Sequence, residues 1–239
     1  MRPLWGCGGP SSAVAVSGRS FAANAARSAL AAGALFSAAV HAVPPTPEEL
    51  TKLCREAEGT AHCARLVEAR QMQRLPDLAR REGSMLKVSL YPSGVSTYAD
   101  TEALHGGRTY SLWDYLGEIN AVILLVTDGD NVMFLLLQRT TGRDSELPSE
   151  PKLSPDRSRL VTADFCEERC SNELAVWRVT RDGTRKEVSW KPRRAWSDAN
   201  ATWTSPTSIA IDYAVVGGDT RSRLERRLTD SDWVSAPTR

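Results

Sequence analysis

The side chains able to do chemistry are few. Beyond residue 42 the chain has two histidines, His62 and His105, so a Ser–His–Asp relay would have to use one of them. His62 stands beside Cys63 in a helical stretch, and His105 lies in the loop Leu104-His105-Gly106-Gly107. No G-x-S-x-G sequence is present to lift a nucleophilic serine onto a strand–helix turn. The carboxylate pairs Glu167-Glu168 and Asp128/Asp130 fall in turn-like segments. The Asp128-Gly129-Asp130-Asn131 string is too short for an EF-hand loop and lacks its bidentate glutamate. The sequence therefore assigns no catalytic residue, metal ligand or cofactor.

Two other constellations carry information. Cys54, Cys63, Cys166 and Cys170 make an even set. In an exported chain such a set reads as disulfides. A metal or redox role for Cys166 and Cys170 is the weaker reading. No second cysteine pair or histidine stands at ligand spacing, and redox pairs are spaced C-x2-C. Three pairings are open. The simplest joins Cys54 to Cys63, clamping a helical hairpin, and Cys166 to Cys170, closing a tight loop. Trp177, Trp190, Trp196 and Trp203 fall within 27 positions, with Arg193-Arg194 among them. Aromatic rings with arginine dominate recognition hot spots. Trp177, Trp190 and Trp203 sit in strand-like runs and read as core. Trp196 lies in a polar stretch over 193–200 and reads as exposed. Trp196, Arg193 and Arg194 are thus the candidate binding residues, for a protein or glycan partner.

The compartment is read from the first 42 residues. They contain no acidic residue and three arginines, Arg2, Arg19 and Arg27, followed by the apolar small-residue run SALAAGALFSAAVHA. Val40-His41-Ala42 supplies the small or branched residues that signal peptidase requires. A basic region, a short apolar region and such a site are the parts of a secretory signal. The run is shorter than the roughly 18–20 apolar residues that span a bilayer, so no stable membrane insertion is expected. Cys7 resembles a lipidation site only superficially, because no apolar run precedes it. Cleavage near Ala42 leaves 197 residues, periplasmic or secreted, with 27 basic against 29 acidic side chains. That balance offers no footprint for nucleic acid.

The elements follow from periodicity. Residues 46–81 are apolar at three-to-four spacing and predict a helical hairpin over 43–84, broken at Gly59 and interrupted near Pro76. From Met85 the character changes to short β-branched and aromatic runs bounded by Gly, Pro, Asn and Asp. Strands are expected near 86–91, 95–99, 109–115, 120–127, 131–138, 159–165, 173–180, 185–190 and 207–215, within a β domain over 85–239. The runs AVILLV and VMFLLL, joined by a hairpin turn, are apolar at nearly every position, as strands buried on both faces are. The stretch over 219–227 alternates as an exposed strand would.

A partial repeat runs through the second half. Leu153-Ser154-Pro155-Asp156-Arg157 leads through a strand to Leu174-Ala175-Val176-Trp177-Arg178-Val179 and Arg181-Asp182-Gly183. About fifty residues on, Trp203-Thr204-Ser205-Pro206-Thr207 leads to Ile209-Ala210-Ile211. Here the chain resembles the blades of TolB-type and WD40-like β-propellers, with Arg157 where that family carries glycine. The resemblance covers about residues 151–215 and implies four-stranded meanders. The β segment has room for about three blades, fewer than a closed propeller needs. As a whole the chain also resembles small exported proteins of Gram-negative bacteria, a likeness that implies no activity. The expected fold is mainly β, antiparallel meanders arranged as a sandwich or open partial propeller, preceded by a disulfide-clamped helical hairpin. The expected function is non-enzymatic binding in the envelope. The alternatives are a hydrolase or an inhibitor of an envelope-degrading enzyme.

Overall fold

The computed structural model describes residues 45–101, 107–218 and 220–236. The segment over 1–42, read from sequence as a secretory signal, and His105 with its loop lie outside the described residues.

Helix α1 (Pro47–Cys54) begins where sequence chemistry directs. Thr46 Oγ1 accepts the Glu49 N–H at 3.2 Å, Pro47 occupies the first turn, and Glu48 and Glu49 face the positive end of the helix dipole. Helix α2 (Thr60–Arg74) follows after Gly59. The Cys54–Cys63 disulfide joins the end of α1 to the first turn of α2, with Cα atoms 4.8 Å apart. Arg74 adds a second tie, reaching the Glu49 carboxylate at 2.6 Å. The helical stretch expected to run to Arg81, with an interruption near Pro76, ends at Arg74 and does not resume. Pro76 blocks its extension, and Ala79–Glu82 is a strand, β1, zipped in antiparallel register onto β2 (Met85–Ser89).

Strands β1, β2 and β3 (Val95–Ala99) form the first of four antiparallel sheets. The second is the meander β4 (Arg108–Leu116), β5 (Ala121–Asp128), β6 (Asn131–Gln138) and β7 (Arg143–Leu147). The third runs β8 (Lys152–Leu153), β9 (Arg159–Asp164), β10 (Glu173–Thr180) and β11 (Gly183–Trp190). The fourth is β12 (Trp196–Ser205), β13 (Ser208–Val215) and β14 (Arg221–Arg227). The chain then returns, and β15 (Val234–Ser235) pairs with β11 at the edge of the third sheet. The second disulfide, Cys166–Cys170, closes the β9–β10 connection. Strands β7, β8 and the first half of β12 were not expected from the sequence.

Three apolar layers stack these sheets in chain order. Leu86, Val88 and Tyr98 of the first sheet meet Leu112, Val122, Leu124, Val126 and Leu137 of the second. The other face of the second sheet, with Ile123, Leu125, Phe134 and Leu136, packs on Leu50, Ala64 and Val67 of the helices and on Leu160 and Trp177 of the third sheet. Val161, Leu174 and Val176 of the third sheet meet Ala201, Ile209 and Ile211 of the fourth. Strand β5 explains its own sequence. Residues 121, 123 and 125 serve one layer and 122, 124 and 126 the other, so no position from 121 to 126 is polar. The two outermost faces are polar instead. Arg80, Glu82 and Lys87 pair across the first sheet, and Asp198 with Arg221 and Asp212 with Arg223 across the fourth. Both ends of the stack are finished for water.

The Ser-Pro segments occupy equivalent places in neighbouring meanders, one between β8 and β9 and one between β12 and β13. In the first, Ser154 Oγ donates to Asp156, which also accepts from the N–H and Oγ of Ser158. Arg157 adopts φ 62°, a left-handed conformation that glycine would take at lower cost. Gly183 has a different constraint: a Cβ there would lie 2.5 Å from Ser145 Oγ, which accepts the Thr184 N–H across the second and third sheets.

Strand β4 is the open edge of the second sheet, and α2 covers it with polar side chains. Arg65, Glu68 and Gln71 recur at three-residue spacing on one face of the helix, with Glu68 only 2% exposed. Glu68 Oε2 accepts the Leu112 N–H at 3.0 Å, Gln71 Nε2 donates to Trp113 O at 3.0 Å, and Arg65 donates to Tyr110 O at 2.7 Å. A bulge between Leu112 and Asp114 turns the Trp113 carbonyl toward the helix. Arg81 of β1 joins the network, bonded to Glu68 at 2.5 Å and to Tyr110 O, while Asp100 bonds Arg65, Arg81 and the Tyr110 N–H. Two guanidinium groups thus face two carboxylates, and every exposed edge group from 110 to 113 that they reach is satisfied. Breaking such a buried network from one side strands the remaining charges. Glu68→Ala is expected to lower unfolding free energy by about 3–5 kcal/mol in urea titration, and a loss below about 1 kcal/mol would show that the network is dispensable.

Candidate functional site

The candidate residues part company in the structure. Arg193 and Arg194 are exposed in the connection between β11 and β12. Trp196, expected to be exposed in a polar loop, is the first residue of β12 and is 4% exposed. Its ring stacks on Tyr213 with centroids 4.0 Å apart and meets Phe165 at 4.9 Å and Trp190 at 5.5 Å. The segment over 196–200 looks polar because alternate residues face water, while Trp196 is turned inward by its pairing with Val215. Trp196 belongs to the core.

Trp190, read from sequence as core, stands nearer the surface. It ends β11 half-buried, and its Nε1 donates to Asp232 Oδ2 at 3.0 Å. The Arg226 guanidinium lies 4.5 Å from the Trp190 ring centroid and 5.5 Å from that of Trp233. Arg226 also bonds Asp232 Oδ1, and this bond, the foremost cause, holds the Asp232 carboxyl below its usual range. Trp233 Nε1 donates to Arg227 O at 2.7 Å, fixing the second ring. The sequence contained one sign of this cluster. Ser222, Leu224 and Arg226 share the inward face of β14, so a cation occupies a position the alternation reserves for the core.

Beside Trp190 is an open groove of about 610 Å³, lined by Ser189, Trp190, Lys191, Arg193, Asp232 and Val234. It forms where β11 and β15 diverge. Asp232 is the one carboxylate in the lining, and each of its oxygens is engaged from behind, by Arg226 and by the Trp190 indole. Among the described residues neither Arg193 nor Arg194 has an ion-pair partner. The groove therefore combines a fixed indole with cations whose charge is not internally spent.

The remaining sequence candidates hold structural positions. His62 lies in the first turn of α2, where its Nδ1 accepts the Glu58 N–H. Glu167 and Glu168 are exposed within the Cys166–Cys170 loop, and Asp130 of the β5–β6 turn pairs with Arg169 at 3.1 Å. Trp177 Nε1 donates to Thr162 Oγ1 and Trp203 Nε1 to Lys152 O, so both half-buried indoles are tied to their neighbours. Among the described residues no group of three His, Cys, Asp or Glu side chains is placed to hold a metal ion. No family model, curated protein or solved structure matches the chain.

One acidic group stands out from the rest. Asp114 is 9% exposed, and burial, reinforced by the nearby Glu150 and Glu118 carboxylates, pushes it up to about 6. The Tyr115 N–H, 2.8 Å from Oδ1, and Lys152 oppose that rise without cancelling it. A carboxyl whose folded value lies above its unfolded value binds its proton more tightly when folded. Its contribution is complete below about pH 4 and is lost as pH climbs through about 6. Asp114→Asn keeps the acceptor and removes the charge. The variant is expected to match the parent near pH 4 and to exceed it by about 2–3 kcal/mol at pH 7. Chemical denaturation across this range checks the difference, and a pH-independent gap between the two proteins would contradict the assignment.

Proposed function

We propose that the protein is an exported, non-enzymatic binding module that engages a protein or glycan partner of the cell envelope through the groove beside Trp190. In this reading residues 1–42 are removed on export, and the two disulfides hold the mature chain in an oxidising compartment. The meanders with their Ser-Pro turns are kin to propeller blades, used as an open stack rather than a closed ring. The observation that carries the reading is the placement of unpaired Arg193, with Arg194 next to it in the chain, in the wall of a groove beside a Trp190 already held by Arg226, Asp232 and Trp196. An aromatic ring fixed before binding loses little freedom when a ligand arrives, and adjacent cations supply steering and specificity.

The roles of the three candidate residues change accordingly. Arg193 and Arg194 remain contact residues, while Trp196 supports Trp190 from within. A photoreactive phenylalanine derivative at position 194 is expected to give covalent adducts when the full chain is expressed and irradiated in cells. The same group at position 200, exposed on the outer face of the fourth sheet, is expected to give none. The recovered protein should begin at Val43 by mass spectrometry. Equal adduct formation at both positions, or none at 194, would count against the groove.

A further inference from the structure

Resting on that reading, we infer that the ligand of the groove is an acidic glycan, a short chain of carboxylated sugar rings. Three features select this class. The first is charge. Asp232 is neutralised by Arg226 and the Trp190 indole, so the charges left to a ligand are those of Lys191 and Arg193, with Arg194 adjoining. Lys191 acts only at longer range, on Glu173, which is itself bonded to Lys186 at 3.0 Å. Arginine binds carboxylate through paired N–H groups, which suits a uronate better than a neutral sugar.

The second feature is the wall behind Trp190. Arg226 is 8% exposed, and its buried Nε has no hydrogen-bond partner, only an ion pair with Asp230 Oδ2 at 3.8 Å. A guanidinium with an unmet donor is a costly thing to bury. Its position against two indoles and Asp232 holds Trp190 in one orientation, and that rigidity is what a ring-stacking site requires.

The third feature separates a sugar from a peptide. Extended peptides gain affinity by adding a strand to an open sheet edge. Next to this groove the edge of β11 is taken by β15, and β15, now the outermost strand, offers only two residues to a further strand. β15 pairs Val234 and Ser235 with Ser189 and Val188, and Ala236 donates its N–H to Glu187 O at 3.0 Å. Recognition in the groove thus rests on side chains, an indole and cations, rather than on a backbone ladder. A volume of about 610 Å³ lies within the range of small-ligand sites and accommodates a short oligosaccharide.

Calorimetric titration of the mature, disulfide-intact protein tests the assignment with three probes: trigalacturonate, the neutral maltotriose and triglutamate. Binding is expected for trigalacturonate, weakened by added salt. Maltotriose and triglutamate should each bind at least about tenfold more weakly. The double variant Lys191→Glu/Arg193→Glu, at exposed positions, should lose trigalacturonate binding by about tenfold or more while keeping the parent's circular dichroism and unfolding midpoint. Trp190→Phe, which keeps a ring but removes the Asp232 bond, should weaken binding without abolishing it. Triglutamate binding as tightly as the uronate would overturn the proposal in favour of an acidic peptide, and equal maltotriose binding would remove the role of charge. Absence of uronate binding, or indifference to the double variant, would also overturn it. If adducts at position 194 persist in that case, the groove reading stands and only the ligand class falls.

Discussion

An uncovered strand edge is the constraint around which this molecule is arranged. Strand β4 begins the most apolar sheet of the protein and leaves a row of backbone groups unpaired. Such an edge invites pairing with another chain unless something covers it. Here the cover is a helix that carries Arg65, Glu68 and Gln71 where an ordinary amphipathic helix would carry leucines. Their side chains replace the missing strand, bonding Tyr110 O, Leu112 N–H and Trp113 O. Burying these charges has a desolvation cost, met here by balance, with Arg65 and Arg81 set against Glu68 and Asp100.

The consequences reach both sides of the second sheet. Because α2 lies along the edge, its Ala64 and Val67 enter one apolar layer while its Met72, with Leu75 just past its end, enters the next. Arg81 and Asp100 bring the first sheet to the same network, so the helix, the first sheet and β4 are fixed together. The disulfide between Cys54 and Cys63 restrains α1 beside it and, by shortening the unfolded chain's freedom over a small loop, contributes about 2–3 kcal/mol. Farther along the stack the third and fourth sheets close on Trp196, Tyr213 and Phe165, and the groove opens beside that cluster. The core thereby holds the indole that the proposed ligand meets.

What could be seen in the sequence were the features decided locally. The two apolar runs, the Asp-Gly turn between them and the change of periodicity near Met85 depend on neighbours a few residues away. The local pairing of cysteines was the simplest of three and is the one formed. Non-local decisions were opaque. Residues 79–82, Ala-Arg-Arg-Glu, have helical propensity and become a strand because β2 and Glu68 await them. Trp196 sits among polar residues and is buried because β13 turns it inward. Glu68 and Gln71 gave no sign of burial, since their partners are backbone groups some forty positions distant. For the candidate site, the exposure of Arg193 and Arg194 was legible, but the exchange of positions between Trp190 and Trp196 was not.

Amide hydrogen exchange followed residue by residue in the intact protein tests the covered edge most directly. If α2 and the Asp100 carboxylate joined to it serve β4 as a replacement strand, the Leu112 amide, held by Glu68, and the Tyr110 amide, held by Asp100, exchange as slowly as those of Ile123 and Leu124 in the adjoining β5. Their protection then falls only with global unfolding. Exchange of Tyr110 and Leu112 at the rate of freely solvated amides, with β5 still protected, would show that the edge is open and that the stack is held by other means.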